Sequence, residues 1–180
     1  MKQGRRFLVI GVVAVAAAVA GYGVNIWRRA GSQAEAAGAV MSARLTDLHG
    51  KALSIDQWRG RVLVVNFWAT WCAPCRREMP TLDKLQGTLG GKDFEVMALS
   101  IDRAGVHAVE AFFMEIGVKH LRLYIDQSTA AMRKLAVVGL PTTLLIDREG
   151  REVWRYAGAA EWDSDEWMGE IRKAIEKKDQ

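Results

Sequence analysis

The sequence predicts an α/β domain with a central mixed β-sheet flanked by helices, preceded by one N-terminal apolar segment. Three observations carry this prediction. From residue 44 onward, short apolar β-branched runs alternate with stretches of helical periodicity. The last two apolar runs are separated only by Arg148-Glu149-Gly150, which pairs them as a hairpin and makes the sheet mixed. Phe7 to Trp27, without a single charge, stands apart from all of this.

The elements follow in order. Arg44 to Ile55 alternates around His49-Gly50, which predicts an N-terminal hairpin. Val62 to Trp68 (VLVVNFW) is a nearly continuous apolar run, the pattern of a strand buried on both faces. A helical pattern runs from Ala73 to Leu89, and Phe94 to Ile101 is the next strand. Val106, Val109, Phe113 and Ile116 form a helical stripe. Leu121 to Ile125 reads as a strand and Ser128 to Leu135 as a short helix. Thr142 to Asp147 and Glu152 to Tyr156 are the closing hairpin. Asp163 to Lys177 ends the chain as an amphipathic helix, with Trp167, Ile171, Ala174 and Ile175 facing inward and Asp163 as its N-cap.

The domain boundaries come from composition. Residues 1–29 hold the 21 uncharged residues Phe7 to Trp27, flanked by Lys2, Arg5 and Arg6 before and by Arg28 and Arg29 after. As a helix this run extends ~31 Å, close to a bilayer hydrocarbon core of ~30 Å. It reads first as an uncleaved signal anchor, a single transmembrane span. Ala18-Val19-Ala20 also offers a small-x-small cleavage site, as in a secretory signal peptide. A buried core helix fits less well, because the run is apolar on all sides. Arg28 and Arg29 weaken the charge bias that orients a span, but the export reading puts residues 28–180 outside the cytoplasm. No Cys lies near the segment, which excludes a lipoprotein anchor. Residues 30–40 are small and polar without periodicity and read as a linker. Residues 41–180 form the globular domain.

The net charge of +4 belongs to the N-terminus. Residues 1–29 carry five of the 25 Lys and Arg and none of the 21 Asp and Glu, so the remainder has 20 basic against 21 acidic side chains. A domain so balanced has no clustered basic surface for nucleic acid.

The chemistry lies in the only two cysteines, Cys72 and Cys75, within Trp71-Cys72-Ala73-Pro74-Cys75. They follow a buried strand and open a helix. Two intervening residues let the thiols meet within the first helical turn. The free N–H groups and positive dipole end there stabilise a thiolate. Pro74 is tolerated in a first turn, where its missing N–H has no partner to lose. A structural disulfide spanning so few residues would constrain almost no unfolded-chain entropy. A structural zinc site wants four ligands, and covalent c-type haem wants His where Arg76 stands. The pair is therefore predicted to be redox-active, with no cofactor or metal beyond its own disulfide.

Glu78 shares a helical stripe with Cys75, Leu82, Leu85 and Leu89. A carboxyl on that stripe is desolvated, its pKa rises, and it lies one turn from Cys75, where it can exchange a proton with the thiol. The competing reading is a solvated glutamate beside Arg76 and Arg77. Pro80 interrupts the same run and predicts a kink. Trp68 and Trp71 bracket the motif, whereas Trp58, Trp154, Trp162 and Trp167 read as packing residues.

On Val64-Val65-Asn66-Phe67-Trp68-Ala69-Thr70-Trp71-Cys72-Ala73-Pro74-Cys75-Arg76-Arg77-Glu78-Met79-Pro80, and on Gly139-Leu140-Pro141-Thr142-Thr143, the chain resembles the thioredoxin superfamily. It is most similar there to the membrane-anchored, extracytoplasmic TlpA/ResA/CcmG branch of thiol–disulfide oxidoreductases. The element order matches over about residues 40 to 178. The resemblance implies a thioredoxin-like fold with an N-terminal hairpin and a family insertion near Gly105 to Ile125. It implies that Cys72 is the exposed attacking thiolate and Cys75 the buried resolving thiol. It places Glu78 where this branch carries an active-site glutamate. It implies a cis Leu140–Pro141 bond packed against the disulfide, with Trp71, Pro74, Leu140 and Pro141 meeting the substrate. Ordinary cytoplasmic thioredoxins carry a buried Asp where this chain has Asn66, which cannot titrate, so the proton-transfer role moves towards Glu78. Peroxiredoxins of the same fold carry Thr three residues before their reactive Cys. Ala69 stands there in this chain, which argues against a peroxidase.

The function implied is reduction of protein disulfides on the periplasmic side of a bacterial membrane. In the family, the electron donor is a CcdA/DsbD-type membrane protein, and a usual substrate is the haem-site disulfide of apocytochrome c. Copper-centre proteins are a second substrate class. Two alternatives stay open: an oxidase or isomerase running the exchange in reverse, and a metallochaperone holding Cu(I) between the two thiolates. Ala73-Pro74 lacks the His that strong oxidants often carry between their cysteines. His49, His107 and His120 are scattered in sequence and give copper no third ligand.

Overall fold

A computed structural model describes residues 31, 32 and 34–177. The chain divides into a unit over Met1–Ala36, nearly all of it outside the described residues, and a unit over Ala37–Gln180, which carries the fold. The expected membrane segment, residues 1–29, lies outside the described residues. Among the described residues, no helix is long and apolar enough to cross a membrane.

The described residues from 31 to 41 are helical (α1). The reading of 30–40 as a linker without periodicity carried no expectation of this helix. An Ala-rich run has the best intrinsic helix propensity yet no apolar stripe to reveal it. Val40 and Met41 end α1 inside the core. Met41 packs over Gly150, which sits at φ 84° in the turn between the last two strands. A Cβ there would collide with the Met41 side chain.

The remaining elements are β1 (Arg44–Asp47), β2 (Ala52–Ser54), a 3₁₀ turn (Ile55–Trp58), β3 (Val62–Trp68), α2 (Ala73–Leu89) and β4 (Phe94–Ser100). They are followed by α3 (Val106–Ile116), β5 (Tyr124–Ile125), α4 (Ala130–Lys134), β6 (Thr142–Ile146), β7 (Glu152–Ala157) and α5 (Asp165–Glu176). The strands form one mixed sheet in the order β2-β1-β5-β4-β3-β6-β7. β3 pairs with β4 in parallel and with β6 antiparallel, and all seven of its residues are buried. The predicted α/β class and the thioredoxin-like arrangement are both present, with α3 and β5 occupying the expected insertion.

Three elements begin more than one residue away from where the sequence places them. β5 keeps only Tyr124 and Ile125 of the predicted five residues. Leu121 and Leu123 are buried by their side chains, which produced the apolar signal, but their backbone is not paired into the sheet. α4 begins at Ala130 because the Asp126 carboxylate accepts the Ala130 and Met132 N–H groups and the Ser128 hydroxyl. α5 begins at Asp165 with Ser164 as N-cap. Asp163 accepts instead from Lys84 Nζ of α2, at 2.8 Å.

The core joins the sheet to the buried faces of α2, α3 and α5. Leu85 of α2 is fully buried in it. Leu85→Ala is expected to cost about 2–5 kcal/mol of unfolding free energy, read from the midpoint of urea denaturation with unchanged slope.

Candidate active site

The site is built where β3 ends and α2 begins. Cys72 is the N-cap of α2, with extended backbone, and its Sγ accepts the Cys75 N–H at 3.3 Å. Pro74 lies in the first helical turn. Cys72 and Cys75 are joined as a disulfide. Cys75 is fully buried and Cys72 is 7% exposed, so Cys72 is the more accessible of the two residues, although the disulfide-bonded protein does not expose it as the resemblance implied. Trp71 immediately before them is 69% exposed. A large apolar ring held in water beside a redox pair is a surface suited to contact another molecule.

The turn that carries Trp71 is clamped at Thr70. Asp102, buried just after β4, accepts the Thr70 N–H at 2.9 Å and its hydroxyl at 2.7 Å. The Ser100 hydroxyl also donates to Asp102, at 2.7 Å. Arg76 reaches back to the Thr70 carbonyl and pairs with Glu115 of α3 at 3.0 Å, its guanidinium lying over the Phe112 ring. The insertion helix is thereby tied to the turn beside Cys72. The sequence carried no signal for this clamp, because its partners come from three separate segments.

Leu140–Pro141 is cis, as the resemblance implied. The β3–β6 register ends at Phe67 opposite Thr142, so Leu140 and Pro141 sit just past the end of β3 that leads to Cys72. Pro141 is buried and Leu140 half-buried. The Pro141 carbonyl accepts the Gly158 N–H at 2.9 Å.

Glu78 is 2% exposed, which rules out the solvated reading. Its stripe partners Cys75, Leu82 and Leu85 are buried with it. Three donors hold the carboxylate. Asn66 Nδ2 donates to Oε1 at 2.9 Å. Trp162 Nε1 and the Ala160 N–H donate to Oε2, at 2.8 Å and 3.1 Å. Burial pushes the Glu78 pKa up, and the hydrogen bonds from Trp162, Asn66 and Ala160 oppose that rise without cancelling it. A carboxyl raised in this way takes up and gives back a proton more readily near neutral pH than a solvated one.

Trp162 is the functional residue that the sequence reading assigned to packing alone. It does pack, stacking on Trp154 and against Trp167 and Tyr156. Its indole N–H is also spent on Glu78, 84 residues away in sequence, a separation that pattern reading cannot bridge. Among the described residues, no group of three His, Cys, Asp or Glu could hold a metal ion.

Comparison with known proteins agrees with this geometry. Residues 29–169 match the redoxin family. The chain is 33% identical over 114 residues to the thiol-disulfide oxidoreductase ResA of Bacillus thuringiensis, covering 63% of this chain and 65% of that protein. It therefore spans less than two thirds of that relative's length. The ResA of Bacillus subtilis is 29% identical over 155 residues, 85% of this chain and 86% of that one. The crystal structure of StoA from Bacillus subtilis shares the fold, with a TM-score of 0.60 at 18% identity over 72% of this chain and 94% of that one. With the sequence match, the fold and the cysteine pair in agreement, the chain belongs to the redoxin family, has a thioredoxin-like fold and is similar to thiol–disulfide oxidoreductases of the ResA type.

Proposed function

We propose that the protein is a thiol–disulfide oxidoreductase that reduces protein disulfides on the extracytoplasmic side of a bacterial membrane. The observation that carries this is the Cys72–Cys75 disulfide at the N-terminus of α2, with a buried carboxyl one turn behind it.

In the reduced protein, the Cys72 thiolate is stabilised by the Cys75 N–H and the helix N-terminus. It attacks one sulfur of a substrate disulfide. A Cys72–substrate disulfide forms, and the first substrate sulfur leaves as a thiolate. The Cys75 thiol then gives its proton to the Glu78 carboxylate. The resulting Cys75 thiolate attacks Cys72 Sγ. The Cys72–Cys75 bond forms, the bond to substrate breaks, and the second substrate sulfur leaves as a thiolate. Two electrons have passed to the substrate, and the proton rests on Glu78 until water or a leaving thiolate takes it.

Trp71, Pro74, Leu140 and Pro141 are proposed to contact the substrate around this pair. Protein disulfides are the substrate class, with the haem-site cysteines of an apocytochrome c or the cysteines of a copper-centre protein as the first to be tried. Re-reduction is assigned to a CcdA/DsbD-type membrane protein, and residues 1–29 to the anchor.

The test is the reduction potential of the pair, followed by tryptophan fluorescence in a dithiothreitol or glutathione series. A value near the ~−270 mV of thioredoxin, or lower, is expected of a reductant. A value near the ~−120 mV of DsbA reverses the direction of electron flow and overturns the reducing role.

A further inference from the structure

Asn66 and Thr143 face each other directly across the β3–β6 pair. Both are fully buried. Asn66 Nδ2 spends its two hydrogens on Glu78 Oε1 and Thr143 Oγ1, each at 2.9 Å. Asn66 Oδ1, equally buried, has no hydrogen-bond partner among the described residues. An unpaired buried amide oxygen is costly, so its retention beside the acid–base group calls for an explanation.

The donors around Glu78 supply one. Oε2 faces the Trp162 indole N–H and the Ala160 backbone N–H, which donate and cannot accept. A proton arriving on Glu78 therefore settles on Oε1, the oxygen that faces Asn66. With the amide as it stands, the new O–H would point at an N–H, donor against donor. Rotation of the amide by half a turn exchanges Nδ2 and Oδ1. The two lone pairs of Oδ1 then accept the Glu78 O–H and the Thr143 hydroxyl. A hydroxyl serves in either role, so the Thr143 contact survives with its direction reversed. Each orientation makes two bonds and leaves one amide atom unpaired, so the amide serves both protonation states of Glu78, the carboxylate more strongly.

We propose that Asn66 is a positioning residue whose side-chain amide turns with the protonation of Glu78, donating to the carboxylate and accepting from the acid. Thr143 holds the amide in either orientation. The inference rests on the reading of Glu78 as proton carrier for Cys75 and supplies the part that lets it carry. The groups bonded to Glu78 from β3 and from the 160–162 segment are Asn66, Ala160 and Trp162, none of which titrates at ordinary pH. Thr143 of β6 does not titrate either. On its own helix, Cys75 and Cys72 are the titratable groups of the site, and both are tied up in the oxidised protein. In the oxidised protein Glu78 is therefore the one titrating member of this hydrogen-bonded set, and Asp163, next to Trp162 in sequence, is paired with Lys84.

The experiment is nuclear magnetic resonance of the oxidised full chain, following the Glu78 side-chain carboxyl and the Asn66 side-chain amide against pH. The two are expected to shift with one common midpoint. Glu78→Gln, whose amide N–H takes the place of the acid O–H, is expected to hold the Asn66 signals at their low-pH positions throughout. Asn66→Leu removes a charge-assisted donor from the carboxylate and a weaker neutral acceptor from the acid, so proton affinity of Glu78 should rise about tenfold. Asn66 signals that ignore the Glu78 titration overturn the proposal, as does a folded Asn66→Leu protein with an unmoved midpoint. Should Asn66→Leu fail to fold, the wild-type and Glu78→Gln spectra decide alone. None of these readouts uses turnover. An unchanged Cys75 attack rate in Glu78→Gln would remove the proton-carrier reading and leave the amide rotation standing.

Discussion

Replacing Cys75 by Ser is expected to stop the protein at a covalent adduct with its substrate, and replacing Cys72 by Ser to remove disulfide reduction altogether. Cys72 is the more accessible cysteine and holds the helix N-cap, where the Cys75 N–H favours its thiolate. Cys75 is sealed beneath it and meets a substrate disulfide only after Cys72 has opened it. A serine oxygen forms no S–S bond. Cys75→Ser therefore completes the first exchange and has nothing with which to release the product. Non-reducing electrophoresis of cells carrying Cys75→Ser should show adducts that collapse with dithiothreitol. Cys72→Ser should show none, and reduction of a test protein disulfide should fall to background in both variants. Neither change threatens the fold. Serine is itself a preferred N-cap, and a disulfide spanning so few residues contributes little to stability. Adducts on Cys72→Ser in place of Cys75→Ser would reverse the proposed order of attack.

The parts of this site that the sequence revealed are those contained in one element. Cys75 and Glu78 share the helix that Cys72 caps, so spacing alone placed those two on one face and predicted the burial of the carboxyl. The strands β3, β4 and β6 announced themselves because burial on both faces leaves a nearly continuous apolar run. What stayed hidden depends on contacts between distant elements. Asn66 could be recognised as a residue that cannot titrate. Its partner Thr143 follows only from the β3–β6 register. Trp162 looked like any packing tryptophan until the segment before α5 brought its indole to Glu78. Asp102 and Arg76 hold Thr70 from two sides, and neither carries a local mark of doing so. The helix among the described residues of 31–41 was missed for a different reason, since alanine favours helix without displaying a face.

Glu78→Gln is expected to slow the attack of Cys75 on the mixed disulfide by about 100-fold, the lower range for a lost general base. The amide keeps the shape and hydrogen bonds of the protonated acid but cannot accept the thiol proton. In the wild-type protein only the carboxylate form can act. Burial raises the Glu78 pKa, so the wild-type rate should climb as pH rises through that raised value. The Glu78→Gln rate should show no inflection at that value and instead rise with the Cys75 thiolate fraction, about tenfold per pH unit, until that thiol ionises unaided. Single-turnover release of a trapped substrate, measured across pH, separates these profiles. The same substitution should move stability in the opposite sense. A carboxyl whose folded pKa lies above its unfolded value favours the native state below the unfolded value, and this contribution is lost as pH rises through the folded one. Wild-type protein should thus lose stability across that interval, while Glu78→Gln does not. The variant should have the higher Tm above the raised pKa, and the margin should close near the ordinary carboxylate value of about 4.3. A variant that is slower yet more stable locates the cost of catalysis in one buried proton site. Equal rates at every pH would mean that Cys75 loses its proton elsewhere, whatever the stability curves show.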